Sequence, residues 1–217
     1  MLKRLILGAV ALTLLGLPAH AETLSVEAVV AKLQATQAAH HDVVVQLSGE
    51  LMQGPKRLHG ELEIQAIPAQ NLRRVEFKAP SQMAGNLVII EKDQAWRYLS
   101  LTNQVVVSSV AEAVKGAPLD FSKMTSLMGG KASAEGFKLA GSEKGADGVL
   151  HVLESTTPGN RMKVWVKEDG WRLQRLQVLN GFGQAIADWQ VTSFQLDRGL
   201  QPADLKRLPK DAEVLKR

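Results

Sequence analysis

Lys56-Arg57-Leu58-His59-Gly60-Glu61-Leu62-Glu63-Ile64-Gln65-Ala66 sets the architecture of the chain. Leu58, Gly60, Leu62, Ile64 and Ala66 take one side of an extended backbone. His59, Glu61, Glu63 and Gln65 take the other. A period of two with one apolar side is the mark of a half-buried antiparallel strand. Val43, Val45, Leu47, Gly49 and Leu51 alternate in the same way one strand earlier, and Gln53-Gly54-Pro55-Lys56 supplies the turn between them.

Working outward, the strand-and-turn rhythm fills most of the chain. Further strands are predicted at Asn71–Ala79, Gly85–Lys92, Ala95–Leu101, Gln104–Ser109, Gly136–Ser142, Gly148–Thr156, Arg161–Lys167, Arg172–Asn180, Ala185–Asp197 and Glu213–Leu215. Turn chemistry separates them, as in Ala79-Pro80-Ser81, Thr157-Pro158-Gly159-Asn160 and Glu168-Asp169-Gly170. Many short strands at this spacing indicate a sandwich or a barrel. Upstream the period is 3.6. Ser25 to Ala39 reads as one helix, capped by Ser25, with Val26, Val29, Val30 and Leu33 on one face. Val110 to Gly130 breaks the rhythm. It reads as a short helix Ala111–Lys115, then a second helix from Asp120 that carries Phe121, Met124, Leu127 and Met128 and stops at Gly129-Gly130. Nothing divides the chain into further domains.

The amino terminus reads as an export signal. Lys3 and Arg4 precede the apolar run Leu5–Leu17, and Ala19-His20-Ala21 precedes Glu22 with small residues at the positions that cleavage requires. The run is too short for a bilayer-spanning helix, which needs about 20 residues, so a retained anchor is the weaker reading. The expected organisation is a signal at 1–21 and a single domain at 22–217. The chain has no cysteine. An exported chain without disulfides must build an apolar core, and a mature chain of this length can bury one. An acylated-cysteine anchor is likewise impossible, and a soluble chain is expected. Removing the signal lowers the net charge from +4 to about +2, too weak a bias to indicate nucleic acid.

Catalytic patterns are scarce. No His-Glu-x-x-His, Gly-x-Ser-x-Gly or Walker-type loop occurs, and no cofactor is expected. His40-His41-Asp42 could suggest a metal, but neighbouring helical residues point in different directions, and capping of the helix end is the expected role. Glu61 and Glu63 share the polar side of a strand and read as a solvated pair. Apolar side chains are abundant instead. Val75, Phe77, Val88, Ile90, Trp96, Tyr98, Met162 and Val164 sit on predicted strands, and Phe121, Met124, Leu127 and Met128 on the helical insert. An ordinary core explains them. So does the wall and lid of a hollow for an apolar ligand, where methionine adapts to varied partners.

The order of these parts resembles the LolA-type periplasmic lipoprotein carriers. The likeness is carried by the opening helix with two long strands, by Ile67-Pro68-Ala69-Gln70-Asn71-Leu72-Arg73-Arg74-Val75-Glu76-Phe77, by Leu87-Val88-Ile89-Ile90-Glu91-Lys92-Asp93-Gln94-Ala95-Trp96-Arg97-Tyr98, by the insert after Val110, and by the closing segment Leu200–Val214. The resemblance implies a mainly β fold: an unclosed, strongly curved antiparallel β-barrel of about eleven strands, with an amino-terminal helix and a helical lid. It implies a monomeric carrier, not an enzyme. The hollow would take acyl chains of lipoproteins or lipids, loaded by an inner-membrane ATP-driven exporter and released to an outer-membrane receptor. A periplasmic lipid sensor or scaffold with the same fold is the alternative, and a hydrolase lacks any nucleophile–base pair. In that family an Arg just before the strand-starting proline latches the lid; here Ile67 holds the place, and the hairpin turn has Asp93-Gln94 in place of Asp-Gly.

The mature chain is predicted to begin at Glu22. Amino-terminal sequencing of protein recovered from the soluble envelope fraction should find Glu22 first; intact Met1 in the membrane pellet would contradict the export reading.

Overall fold

The structure is a computed structural model that describes residues 24–114, 127, 133–145, 147–155 and 161–216. The expected signal at 1–21 lies outside the described residues, as do Phe121, Met124 and Met128 of the expected lid.

Helix α1 spans Val26–Ala38, and the Ser25 hydroxyl accepts from the Ala28 N–H at 3.2 Å, as a capping serine should. Among the described residues twelve strands follow: β1 Val43–Gln53, β2 Lys56–Ile67, β3 Leu72–Ala79, β4 Leu87–Glu91, β5 Gln94–Leu99, β6 Gln104–Ser109, β7 Phe137–Gly145, β8 Gly148–Ser155, β9 Arg161–Lys167, β10 Arg172–Leu179, β11 Ala185–Leu196 and β12 Glu213–Lys216. The short helix α2, Val110–Val114, follows β6. All twelve strands form one sheet in the order β12-β6-β5-β4-β3-β2-β1-β11-β10-β9-β8-β7. Neighbours run antiparallel except β12, which lies parallel to β6. The sheet does not close on itself, so β12 and β7 are its edges. This is the unclosed barrel that the resemblance implied, with one strand more.

The two sides of the sheet carry different cores. One cluster joins Val75 on β3 to Leu153 on β8, although five strands lie between β3 and β8 in the sheet. The cluster runs unbroken across those strands, along the concave side of the sheet. Val29, Val30 and Leu33 of α1 belong to it too, so the helix lies on the concave side. A second cluster, Ile67, Leu72, Leu87, Ile89 and Leu205 with Trp96, Tyr98, Leu200 and Leu208, covers the convex side of β3–β5 under the closing segment.

Trp189 packs at the centre of the sheet. It faces Gly49 across the β1–β11 pair and is 1 % exposed. A Cβ on Gly49 would sit 2.0 Å from the Asp188 carbonyl oxygen, and one on Gly60 only 2.8 Å from Trp189 Nε1. The backbone of β11 closes on Gly49 and the indole reaches Gly60 on β2, so both glycines are required by close approach.

Asp42 fixes the course of the closing segment. It is 0 % exposed; its carboxylate accepts the Arg198 and Leu200 N–H groups, each at 2.8 Å, and its carbonyl accepts the Asp197 N–H. Asp197 reciprocates, accepting the His41 N–H at 2.7 Å and lying 2.7 Å from His40 Nδ1. His40 thus binds a carboxylate rather than the helix end, as the chain must turn there to enter β1. Among the described residues no group of His, Asp or Glu could hold a metal. Burial alone would raise the Asp42 pKa, but the N–H groups of Arg198 and Leu200, with His41, hold it below its ordinary value of 3.8. A depressed carboxylate contributes stability that is complete above its unfolded pKa and is lost as pH falls through the folded one.

Asp42→Ala leaves two N–H groups without their acceptor and should lower unfolding stability by about 1–3 kcal/mol. Urea titrations at neutral pH should show this, and the difference from the wild-type chain should shrink below pH 3.8. An equal stability at neutral pH would remove Asp42 from the account of the closing segment.

Candidate functional site

The register decides which of the predicted wall residues share a surface. Directly opposed residues on adjacent strands point to the same side. Val75 opposes Ile64 and Val88, Phe77 opposes Leu62, and Ile90 opposes Arg73 and Ala95. Met162 and Val164 oppose Val178 and Leu176. These six predicted residues, Val75, Phe77, Val88, Ile90, Met162 and Val164, therefore lie on the concave side. All are buried except Val88, which is half-buried.

Trp96 and Tyr98 do not join them. Trp96 opposes Ile89, Tyr98 opposes Leu87, and both pack in the convex cluster with Leu200 and Leu208. The Trp-x-Tyr pair is apolar because the closing segment covers it, so its expected place in the hollow is corrected. Ile67 is corrected for the same reason. It opposes Leu72 and is 1 % exposed within the convex cluster, where it cannot hold anything on the concave side. Of the expected lid, Leu127 is described. It is 1 % exposed within the concave cluster, and its carbonyl accepts from Gln37 Nε2 of α1 at 2.7 Å.

The concave floor opens at one end. Leu51 and Leu58 oppose each other at the end of the β1–β2 hairpin, one step beyond Gly49 and Gly60. With Met52, Pro80, Met83 and Ile186 they line an apolar cleft of about 210 Å³. Ligand pockets are usually about 300–1,000 Å³, so this cleft admits part of a chain rather than a whole ligand. A larger cleft of about 570 Å³ at the same end is lined by Glu50, Arg57, Asn180, Gln184 and Asp188 among others. Its polar lining suits no acyl chain, and Asp188 is already bound by Arg175 and Gln177. Met83 escaped the sequence reading because it sits in the turn after β3, where no periodicity marks it.

Polar groups on the concave side are few. Arg73 is 6 % exposed and donates to Asn71 Oδ1 at 2.7 Å; burial pushes its guanidinium down to about 10, so it remains cationic at neutral pH. Arg97 opposes Val88 and Val106, and Ser108 opposes Ala95. Trp189 Nε1 is buried without a hydrogen-bond partner among the described residues.

No family model and no curated protein matches the sequence. Solved structures do. An uncharacterized conserved protein from Thermus thermophilus is 25 % identical with a TM-score of 0.63, over 87 % of this chain and 97 % of that one. A DUF1329 family protein from Desulfovibrio piger is 13 % identical with a TM-score of 0.51, over 83 % of this chain and 97 % of the other. A LolA superfamily protein from Nitrosomonas europaea is 11 % identical with a TM-score of 0.45, over 84 % and 98 %. The first two share the fold; the third carries no weight of its own. The architecture is an unclosed curved sheet with its first helix on the concave side.

Leu58→Asp places a charge at the mouth without entering the deeply buried floor. Binding of a long-chain fluorescent fatty acid should fall about tenfold or more, because an unpaired charge on an apolar surface costs several kcal/mol to bury, while the melting curve stays near that of the wild-type chain. Unchanged binding would move the entrance elsewhere.

Proposed function

We propose that the protein is an exported periplasmic carrier whose concave face takes the acyl chains of lipoproteins or lipids and moves them from the inner to the outer membrane. The observation that carries this reading is the continuous apolar floor from β3 to β8, open at the Leu51–Leu58 mouth. Val75, Phe77, Val88, Ile90, Met162 and Val164 would form the wall. Burial of each acyl CH2 contributes about 0.8 kcal/mol, so affinity grows with chain length and needs no exact match of shape. Leu127, packed between α1 and the floor, marks where the helical insert would give way to a ligand.

The export signal at 1–21 and the absence of cysteine support a periplasmic, untethered chain. Among the described residues no helix is long and apolar enough to cross a membrane. The exporter and the receptor that would load and unload the carrier follow from the LolA resemblance alone.

Native mass spectrometry of protein purified from its own envelope fraction should find one lipid or acylated protein bound per chain. Adding the chain to spheroplasts should then release acylated lipoproteins into the medium. Bound lipid without release would favour the sensor reading, and the absence of any bound acyl chain would contradict both.

A further inference from the structure

The half of the sheet formed by β3–β6 separates its charges by side. On the convex side Arg74 pairs with Glu76, Lys78 with Glu76 and Lys206 with Glu91, and Arg74 also donates to the carbonyls of Leu205 and Arg207. The described acids of these strands are therefore engaged on the convex side. The concave side of the same strands presents two cations, Arg73 and Arg97, among Val75, Val88, Ile90, Ala95 and Val106. The carboxylate of α2, Glu112, is exposed and has its own interactions.

Arg97 is the unusual one. It is half-buried, its Nε is wholly buried, and its side chain makes no hydrogen bond or ion pair with any described residue. Ser108 is 6 % exposed and its Oγ likewise has no partner among the described residues. Arg97 on β5 and Ser108 on β6 are diagonal neighbours on one side of an antiparallel pair. Such neighbours lie roughly 7–8 Å apart at the backbone, within reach of an arginine side chain. A buried guanidinium Nε and a buried hydroxyl without partners are both unfavourable unless something else supplies the acceptors. Both would be satisfied by an oxyanion, since a guanidinium binds carboxylate or phosphate in a two-pronged manner and a hydroxyl donates a further bond.

We propose that Arg97 and Ser108 form an anion site in the hollow that holds the charged head of an acyl amphiphile, with Arg73 adding to the positive field. This rests on the reading that the concave face binds acyl chains and extends it: the hollow selects for a negative head, carboxylate or phosphate, and not for acyl length alone. The residue between Trp96 and Tyr98 would then be the one that meets the ligand.

The test is a binding series of equal chain length on the mature wild-type protein, using palmitate, hexadecyl phosphate and the neutral cetyl alcohol. The wild-type chain should bind at least one anion about tenfold or more tightly than the alcohol, as charge-assisted hydrogen bonds require. Arg97→Gln should abolish that preference and leave the alcohol unchanged. Arg97→Lys should restore it in part, and Ser108→Ala should weaken anion binding by a smaller factor; the two anions separate a fatty-acid source from a phospholipid source. Equal binding of alcohol and anions by the wild-type chain, or a preference that survives Arg97→Gln, would overturn the proposal while leaving the acyl-binding reading intact. Binding of none of the three by the wild-type chain would overturn both.

Discussion

The close packing of β11 on β1, with the Trp189 indole seated on β2, is the contact at the centre of the sheet. Gly49 lets the backbone of β11 approach β1, and Gly60 leaves room on β2 for the indole. The position is central in the sheet, since β1 joins the strands before the helical insert to those after it through β11. Loss of such an aromatic from a core removes several kcal/mol of packing.

The curvature gives the two sides of the sheet separate tasks. The convex side of β3–β5 is sealed by the closing segment, held at its start by Asp42 and at its end by β12. That seal accounts for the apolar character of Ile67, Trp96 and Tyr98 on the convex side. The concave side receives α1 and Leu127 over an apolar floor, with a mouth at Leu51 and Leu58. The convex cluster and Asp42 hold the closing segment, and the concave cluster borders the cleft at Leu51 and Leu58.

Much of the frame was legible in the sequence. Period-two alternation located the strands to within a few residues, and the turns fell at their Gly, Pro and Asn residues. Alternation also says which residues of one strand share a side, but not which side is concave. That depends on pairing with strands far away in the chain. Trp96 and Tyr98 were misplaced for this reason, and Arg97, which alternates with them, was overlooked although it faces the hollow. β12 pairs parallel to β6, a partner about a hundred residues earlier, and its four residues carry no sign of direction. The Asp42–Asp197 clasp joins residues that only the completed β1–β11 pair brings together.

The central claim, that acyl chains bind on the concave side of the sheet, can be tested by fluorescence quenching. Trp189 lies on that side and Trp96 on the other. Two variants that retain either Trp189 or Trp96 as the sole tryptophan, with the others replaced by Phe, would be titrated with fatty acids brominated along the chain. Bromine quenches an indole only at close approach. The account predicts saturable quenching of Trp189, deepest for bromine near the end of the chain that enters first, and little quenching of Trp96. Quenching of Trp96 with Trp189 unaffected would place the ligand on the convex side and contradict the account.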